Sequence, residues 1–129
     1  MSNYRSVLGK AGASTVTIYR LCKRNALVID QAAAGTDEVL GVAGETATTG
    51  KQLSIIVEGL CEVDFAEAVA PGTKLSSDAN GKAVAATAVG GDLIIGEYCP
   101  EPVDGAVANS VVGQRGRILL YGNKMTVKV

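Results

Sequence analysis

The stretch that comes closest to a catalytic motif is GETATTGKQ, residues 44–52, in which two glycines precede a lysine. A loop that cradles phosphate has four residues between its glycines, then Lys and Ser or Thr, and it opens a helix whose amide groups face the phosphates. Here five residues separate Gly44 from Gly50, Gln52 stands where the hydroxyl belongs, and residues 53–57 are predicted to form a strand. We therefore expect a hairpin loop at this position and no nucleotide site.

Histidine is absent from the chain. Its absence removes the most common general base, the Ser-His and Cys-His nucleophile pairs and most catalytic zinc sites together. Neighbouring carboxylates remain as acid/base candidates, but in strands and loops of this charge density they are far more often solvated surface groups. These pairs are Asp37 with Glu38, Glu62 with Asp64, and Glu97 with Glu101. The sequence therefore predicts a protein that is not an enzyme and has no catalytic residues.

Two further patterns have some features of a metal site and of a cofactor anchor. Asp78, Asn80 and Asp92 carry oxygen ligands that suit calcium, but their spacing is not that of a calcium loop, and turn chemistry accounts for them. Lys82 follows Asn80-Gly81 at a predicted turn, as a lipoyl or biotinyl lysine would, but the Asp-Lys-Ala or Met-Lys-Met context of those carriers is missing. We expect no metal and no cofactor.

The cysteines and the apolar runs bear on where the chain works. The three cysteines form no C-x-x-C pair and leave an odd thiol if two are bridged, which favours reduced thiols in a cytosolic setting. The first ten residues, MSNYRSVLGK, lack the apolar region of a signal peptide, and no run approaches the roughly 18 apolar residues that span a bilayer. We therefore expect a soluble protein that is not secreted by the usual signal and has no membrane partner.

The elements that would position any site are short and β-like. Apolar residues make up 47% of the chain, yet it has one Phe and no Trp, and such small, β-branched side chains suit thin sheets. Apolar segments bounded by Gly, Pro, Asn or Asp recur at close intervals, and only residues 64–70 show a weak helical period. The expected strands are 15–21, 26–29, 39–43, 53–57, 60–65, 82–87, 93–98 and 117–121. This pattern predicts a single all-β domain, a small barrel or sandwich.

Turn residues predict where the chain folds back. Pro71 presets φ for one bend, and Asn80-Gly81 tolerates the positive φ values of a tight hairpin, so the segment VAPGTKLSSDANGKAVAAT, residues 69–87, is expected to fold back twice. A second tight turn is predicted at residues 121–124, which would pair 117–121 with 125–129.

The two halves of the chain share a faint similarity. VLGVA at 39–43 resembles IIGEY at 94–98, and SIIVEG at 54–59 resembles RILLYG at 117–122. Each half would then contain a strand with a central glycine, followed by a strand of large aliphatic residues that ends in glycine. If the two units are related, Gly41 and Gly96 mark places where backbones approach closely or the sheet bends.

Charge is distributed unevenly along the chain. Residues 1–24 hold five cations and no acid, residues 25–114 hold three cations and all 13 acids, and residues 115–129 hold four cations and no acid. Such an asymmetry is typical of an arm that contacts an oppositely charged partner, although basic ends that fold back on the acidic body account for it equally well. We expect a basic, partly flexible arm at 1–24, with a possible strand at 15–21, and a single β domain at 25–129.

The order of strands and turns is similar to that of the tailed-phage head decoration, or capsid cement, proteins. The similarity lies in VLGVAGETATTGKQLSIIVEGLCEV, then AVAPGTKLSSDANGKAVAAT, then LIIGEY, and it covers roughly residues 26–122. It rests on turns and small apolar residues rather than on reactive groups. The resemblance implies a small β-barrel or β-tulip-like domain that assembles as a homotrimer and performs no reaction.

The resemblance also implies a place and a partner. Such proteins bind the outer surface of the head between major capsid subunits and stabilise the shell, so the chain would pass through the host cytoplasm and end on the virion. We hypothesise that the basic arm contacts the shell. The arm residues are Arg5, Lys10, Tyr19, Arg20, Lys23 and Arg24. The alternative is a small β-barrel adaptor or a module that binds nucleic acid without sequence specificity, although the chain has few aromatic residues for stacking on bases.

Overall fold

Nine β-strands make up the computed structural model, which describes residues 4–87, 92–101 and 113–126. The strands are β1 Tyr4–Lys10, β2 Leu21–Asn25, β3 Val28–Gln31, β4 Val39–Ala43, β5 Gln52–Asp64, β6 Lys74–Ser77, β7 Ala83–Ala85, β8 Leu93–Tyr98 and β9 Arg115–Thr126. All pairings between them are antiparallel, and the sheet curls strongly into a half-barrel. No helix occurs in these three ranges. The all-β prediction is therefore confirmed, and the barrel is a half-barrel.

The strand order is the same when counted from either end of the sheet. It runs β3-β2-β4-β5-β9-β8-β6-β7, with β1 paired to β5. Each half contributes a hairpin, then a strand, then one of the two long central strands β5 and β9. Parallel bridges from Ala11 to Ile29 and from Phe65 to Ala83 join the residue after β1 to β3 and the residue after β5 to β7. These bridges bring both ends of the sheet inwards and account for its curl.

Equivalent glycines occupy the same place in the two halves. A Cβ atom on Gly41 would overlap the backbone carbonyl oxygen of Ile56, and one on Gly96 would overlap that of Leu119. Ile56 and Leu119 are the third residues of SIIVEG and RILLYG, so the glycines face matched positions of the two similar segments. The expected close backbone approach is confirmed at both glycines, and the strand order supports two related β units.

Two clusters of buried side chains form the core: one lies within the first half, and the larger one includes Leu21, Val39 and Val42 of β2 and β4 beside residues of the second half. The cluster on the first half is built from Ala11, Val16, Cys22, Ile29, Ala43, Ala47, Leu53, Ile55 and Val57. The larger cluster centres on Phe65, which is fully buried and meets Tyr98 edge-on with ring centroids 5.0 Å apart. Most of the remaining core side chains are aliphatic and small, as the composition indicates.

The strand expected at 15–21 is wrong. Among residues 15–20 only Val16 bridges another segment, at Ala47, and the backbone turns before β2 begins at Leu21. Tyr19 has φ of 69°, in the left-handed region, and an extended strand cannot continue through that conformation. Long-range hydrogen bonds hold the turn, including one from the Tyr19 amide to the Ala43 carbonyl at 3.0 Å, and they override the local alternation.

The first residues of the expected arm are extended but belong to the sheet. Residues 4–10 form β1, which pairs with β5 in register from Tyr4 opposite Gly59 to Lys10 opposite Gln52. The division of the chain into 1–24 and 25–129 stays a prediction.

The tight turn expected at 121–124 is also wrong. β9 continues from Arg115 to Thr126, and residues 127–129 of the expected hairpin lie outside the described residues. The turn residues instead form a bulge, because Gly96 pairs with Leu120 while Ile94 pairs with Met125. Gly122, with φ of 81°, lies within that bulge. Similarly, the separate strands expected at 53–57 and 60–65 are one strand, β5, and residues 64–70 form no helix.

Several expected elements are confirmed. β4 and β8 occupy the predicted ranges 39–43 and 93–98, and β6 pairs with β7 in the predicted hairpin. The Asp78 carboxylate accepts hydrogen bonds from the Asn80 and Lys82 amides, both at 2.8 Å, and so fixes the turn.

Candidate functional site

The six residues of the predicted contact arm lie on three different segments of the chain. Arg5 and Lys10 lie on β1, Tyr19 and Arg20 lie in the turn before β2, and Lys23 and Arg24 lie on β2. Three of the cations pair with carboxylates of the same chain. Arg5 contacts Glu58 at 2.6 Å, Arg20 contacts Asp64 at 3.0 Å, and Lys23 contacts Asp37 at 3.2 Å.

Tyr19 and Arg20 join the two halves of the fold. The Arg115 guanidinium lies over the Tyr19 ring, 3.6 Å from its centroid, and it also approaches Asp64 at 3.9 Å. Arg20 Nη1 donates to the carbonyl of Asn80 at 3.0 Å, in the β6–β7 turn. These contacts are of the kind that positions a loop, and they occupy the polar groups that would otherwise face a partner.

The ion pair of Lys23 and Asp37 is partly buried. Burial alone would raise the pKa of the Asp37 carboxyl. Hydrogen bonds from the Ala33 amide at 2.8 Å and from Lys23 Nζ outweigh that effect, so the pKa of Asp37 lies below its usual 3.8. This carboxylate stays charged and anchors the chain after β3.

Lys10 and Arg24 are the arm cations that remain without an ion pair among the described residues. Both are exposed, and they line two adjoining hollows of one groove between β1 and the β2–β3 turn, Lys10 the first and Arg24 the second. The exposed side chains of Leu8 and Leu27 line both hollows. Neither leucine is among the contact residues predicted from the sequence. A signal was present at Leu27, because a turn between two strands normally carries Gly, Asn or Asp rather than leucine.

Two of the three cysteine thiols, those of Cys22 and Cys61, are buried. The pKa of the Cys22 and Cys61 thiols rises to about 12, chiefly because burial disfavours the thiolate, and such thiols are poor nucleophiles. In the described ranges no group of three His, Cys, Asp or Glu residues could hold a metal ion, and no helix is long and apolar enough to cross a membrane. Residues 44–51 join the antiparallel strands β4 and β5 without a helix, which confirms the hairpin loop predicted there.

The four aromatic side chains that the structure describes do not offer a platform for bases. Phe65 and Tyr98 are buried, and Tyr19 lies under Arg115. Tyr121 accepts a hydrogen bond from Lys74 at 2.6 Å and donates to Glu97 at 3.1 Å. Stacking of single-stranded nucleic acid requires exposed aromatic faces, and these four are covered or engaged.

Comparison with known proteins identifies the family. The model of the phage cement protein family matches residues 12–112, which is more than half of the chain. The crystal structure of the head fiber gp8.5 N base of bacteriophage phi29 has the same fold, with a TM-score of 0.65 at 19% identity over 94% of this chain and 97% of that chain. No match was found among curated proteins. This chain therefore belongs to the phage cement protein family, and it is a structural, non-enzymatic protein of the phage head.

Proposed function

We propose that this cement protein binds the outer surface of the head between neighbouring major capsid subunits and stabilises the shell as a homotrimer. The observation that carries the proposal is the family match over residues 12–112, since a cement protein acts on an assembled shell. In this proposal the chain is made in the host cytoplasm and reaches its final place on the outside of the virion.

The packing of the fold supports a role in assembly. Two cores built mainly of small aliphatic side chains give an isolated protomer modest stability. Apolar surface buried between protomers and against a shell adds to that stability, because a partner that binds only the folded state shifts the folding equilibrium. We expect the free protein to elute at about three times its mass of 13.1 kDa in a sizing measurement.

The arm residues Arg5, Lys10, Tyr19, Arg20, Lys23 and Arg24 remain our proposed contact set. Three of these cations also hold the fold through ion pairs, so deletion of residues 1–20 would remove β1 from β5 and confuse folding with binding. Lys10 and Arg24 offer a cleaner test because no described carboxylate pairs with them. Attraction between these cations and carboxylates of the shell makes attachment sensitive to salt.

Co-sedimentation with purified heads that lack this protein tests the proposal. We expect wild-type protein to bind to saturation at low salt, and the Lys10→Ala/Arg24→Ala variant to bind more weakly and with a shallower dependence on salt. Lys82→Ala is the matched control, since Lys82 lies on the other half of the fold and also has no ion pair among the described residues. Failure of wild-type protein to sediment with heads, together with retention on a DNA or RNA column, would favour the nucleic-acid module instead.

A further inference from the structure

We infer that the groove between β1 and the β2–β3 turn holds an apolar side chain of the major capsid protein that is flanked by carboxylates. We call it the Leu8–Leu27 groove; its lining also includes Gly9, Lys10, Arg24 and Ala26. The inference rests on the proposed function, because it assigns the surface through which that function is exercised.

The first observation is the exposure of two leucines at one place. Leu8 is 69% exposed and Leu27 is 96% exposed, and they are the large apolar side chains that stand exposed among those described, at 5–87, 92–101 and 113–122. Single exposed apolar residues are common, but these two line both of the adjoining open hollows that make up the groove, of about 400 Å³ and 200 Å³. A groove of mixed polarity with two free leucines is suited to receive an apolar side chain that has polar neighbours.

The second observation is the composition of the β2–β3 turn. Asn25 pairs with Val28, so Ala26 and Leu27 are the two central residues of the hairpin. Ala26 has φ of 57°, a conformation that favours glycine, and Leu27 points a fully exposed apolar side chain into solvent. Neither residue improves the hairpin, and a Gly-Ser pair would suit it better. The turn therefore carries residues that the fold itself does not require.

The third observation is the charge around the groove, and it identifies the occupant. Lys10 and Arg24 line it, whereas no acidic residue does so in the described part of the chain. The cations are therefore free to meet carboxylates that accompany an apolar side chain of the partner. A proteinaceous shell supplies both kinds of group, and the complementary charge explains why these two cations lack partners within the described fold.

The double variant Ala26→Gly/Leu27→Ser tests the groove without endangering the fold. Glycine relieves the positive φ at position 26, so the thermal midpoint should equal or exceed that of wild type. Loss of the leucine should weaken binding to purified heads about 10-fold or more. Leu8→Ser, on the opposite wall of the groove, should weaken binding in the same direction. The matched control is Ala79→Ser, in the exposed turn of the β6–β7 hairpin, which should bind like wild type.

The outcomes separate the groove from the proposed function. If wild-type protein binds heads and both variants bind equally well, the groove assignment is wrong and the proposed function stands. If the variants change the oligomeric state of the free protein but not its affinity for heads, the groove joins copies of this chain and the inference is overturned. If wild-type protein does not bind heads, the proposed function fails before the groove is reached.

Discussion

Replacement of Gly41 by alanine should destabilise the fold through backbone overlap. The added Cβ would overlap the carbonyl oxygen of Ile56 on β5, and a backbone atom in a paired strand cannot move aside as a flexible side chain can. Overpacking of this kind costs about 1–3 kcal/mol. The reduced entropy of the unfolded chain returns about 0.4–1 kcal/mol, so we expect a net loss of about 1–2 kcal/mol in the free energy of unfolding.

Gly96 provides an independent copy of the same test. Its Cβ would overlap the carbonyl oxygen of Leu119 on β9, so Gly96→Ala should cost a similar amount. The two substitutions lie in different halves of the sheet and share no described contact, so their effects should add in the double variant. Gly44→Ala is the control, because its Cβ would stand 3.2 Å from the carbonyl oxygen of Ser54, where a small adjustment suffices.

Urea unfolding of wild type, of the three single glycine variants and of the double variant measures these differences. We expect each single glycine variant to shift the midpoint to lower urea at unchanged m-value, and Gly44→Ala to stay within about 1 kcal/mol of wild type. A Gly41→Ala or Gly96→Ala protein as stable as wild type would refute the close approach of these strands, and unequal costs would weaken the case for two related units.

Three further predictions concern polar and thiol groups. Arg20→Ala should lower the free energy of unfolding by about 1–2 kcal/mol in urea, because it removes a partly buried ion pair and a bond across the two halves, whereas Arg5→Ala, at an exposed pair, should cost under about 1 kcal/mol. Folding lowers the pKa of Asp37, so its contribution to the free energy of unfolding is complete above the unfolded pKa of about 3.9 and is lost as pH falls through the folded value. The difference in free energy of unfolding between wild type and Asp37→Asn, followed by acid titration, should therefore shrink below pH 3.8. Cys22 and Cys61, with pKa near 12, should resist a thiol reagent at pH 8 until the protein is unfolded, and rapid labelling of either in the native state would contradict their burial.

Local sequence signals were sufficient where one segment determined its own structure. Turn-forming residues bound β4 and β8, so both strands could be predicted from the sequence. The turn at Asp78 and Asn80 could also be predicted, because its hydrogen bond is made within the turn itself. The similarity of the two halves could also be detected from the sequence, because each close approach of two backbones requires a glycine at the matching position.

Tertiary contacts determine the conformation of the segments that are predicted wrongly from the sequence. Alternation at 15–21 favours a strand, but Tyr19 is held in a left-handed turn by bonds to Ala43 and to β5. Gly122 and its neighbours have turn chemistry, which the sheet uses for a bulge within β9. Local sequence patterns do not show which distant strands of the chain will pair with these segments.

For the same reason, only some residues of the candidate surface could be predicted from the sequence. The number of cations in residues 1–24 points to Lys10 and Arg24 as contact residues. It does not show that Arg5, Arg20 and Lys23 form ion pairs with carboxylates of the same chain, because those ion pairs depend on the fold. Two leucines far apart in sequence become neighbours only when β1 lies beside the β2–β3 turn.

The most direct test of a shell-stabilising role is the temperature at which purified heads disrupt, followed by light scattering with and without saturating wild-type protein. We expect added protein to bind and to raise that temperature, because a ligand of the intact shell shifts the balance away from its disrupted state. Heads that bind no protein at low salt, or that bind it and disrupt at an unchanged temperature, would contradict this role.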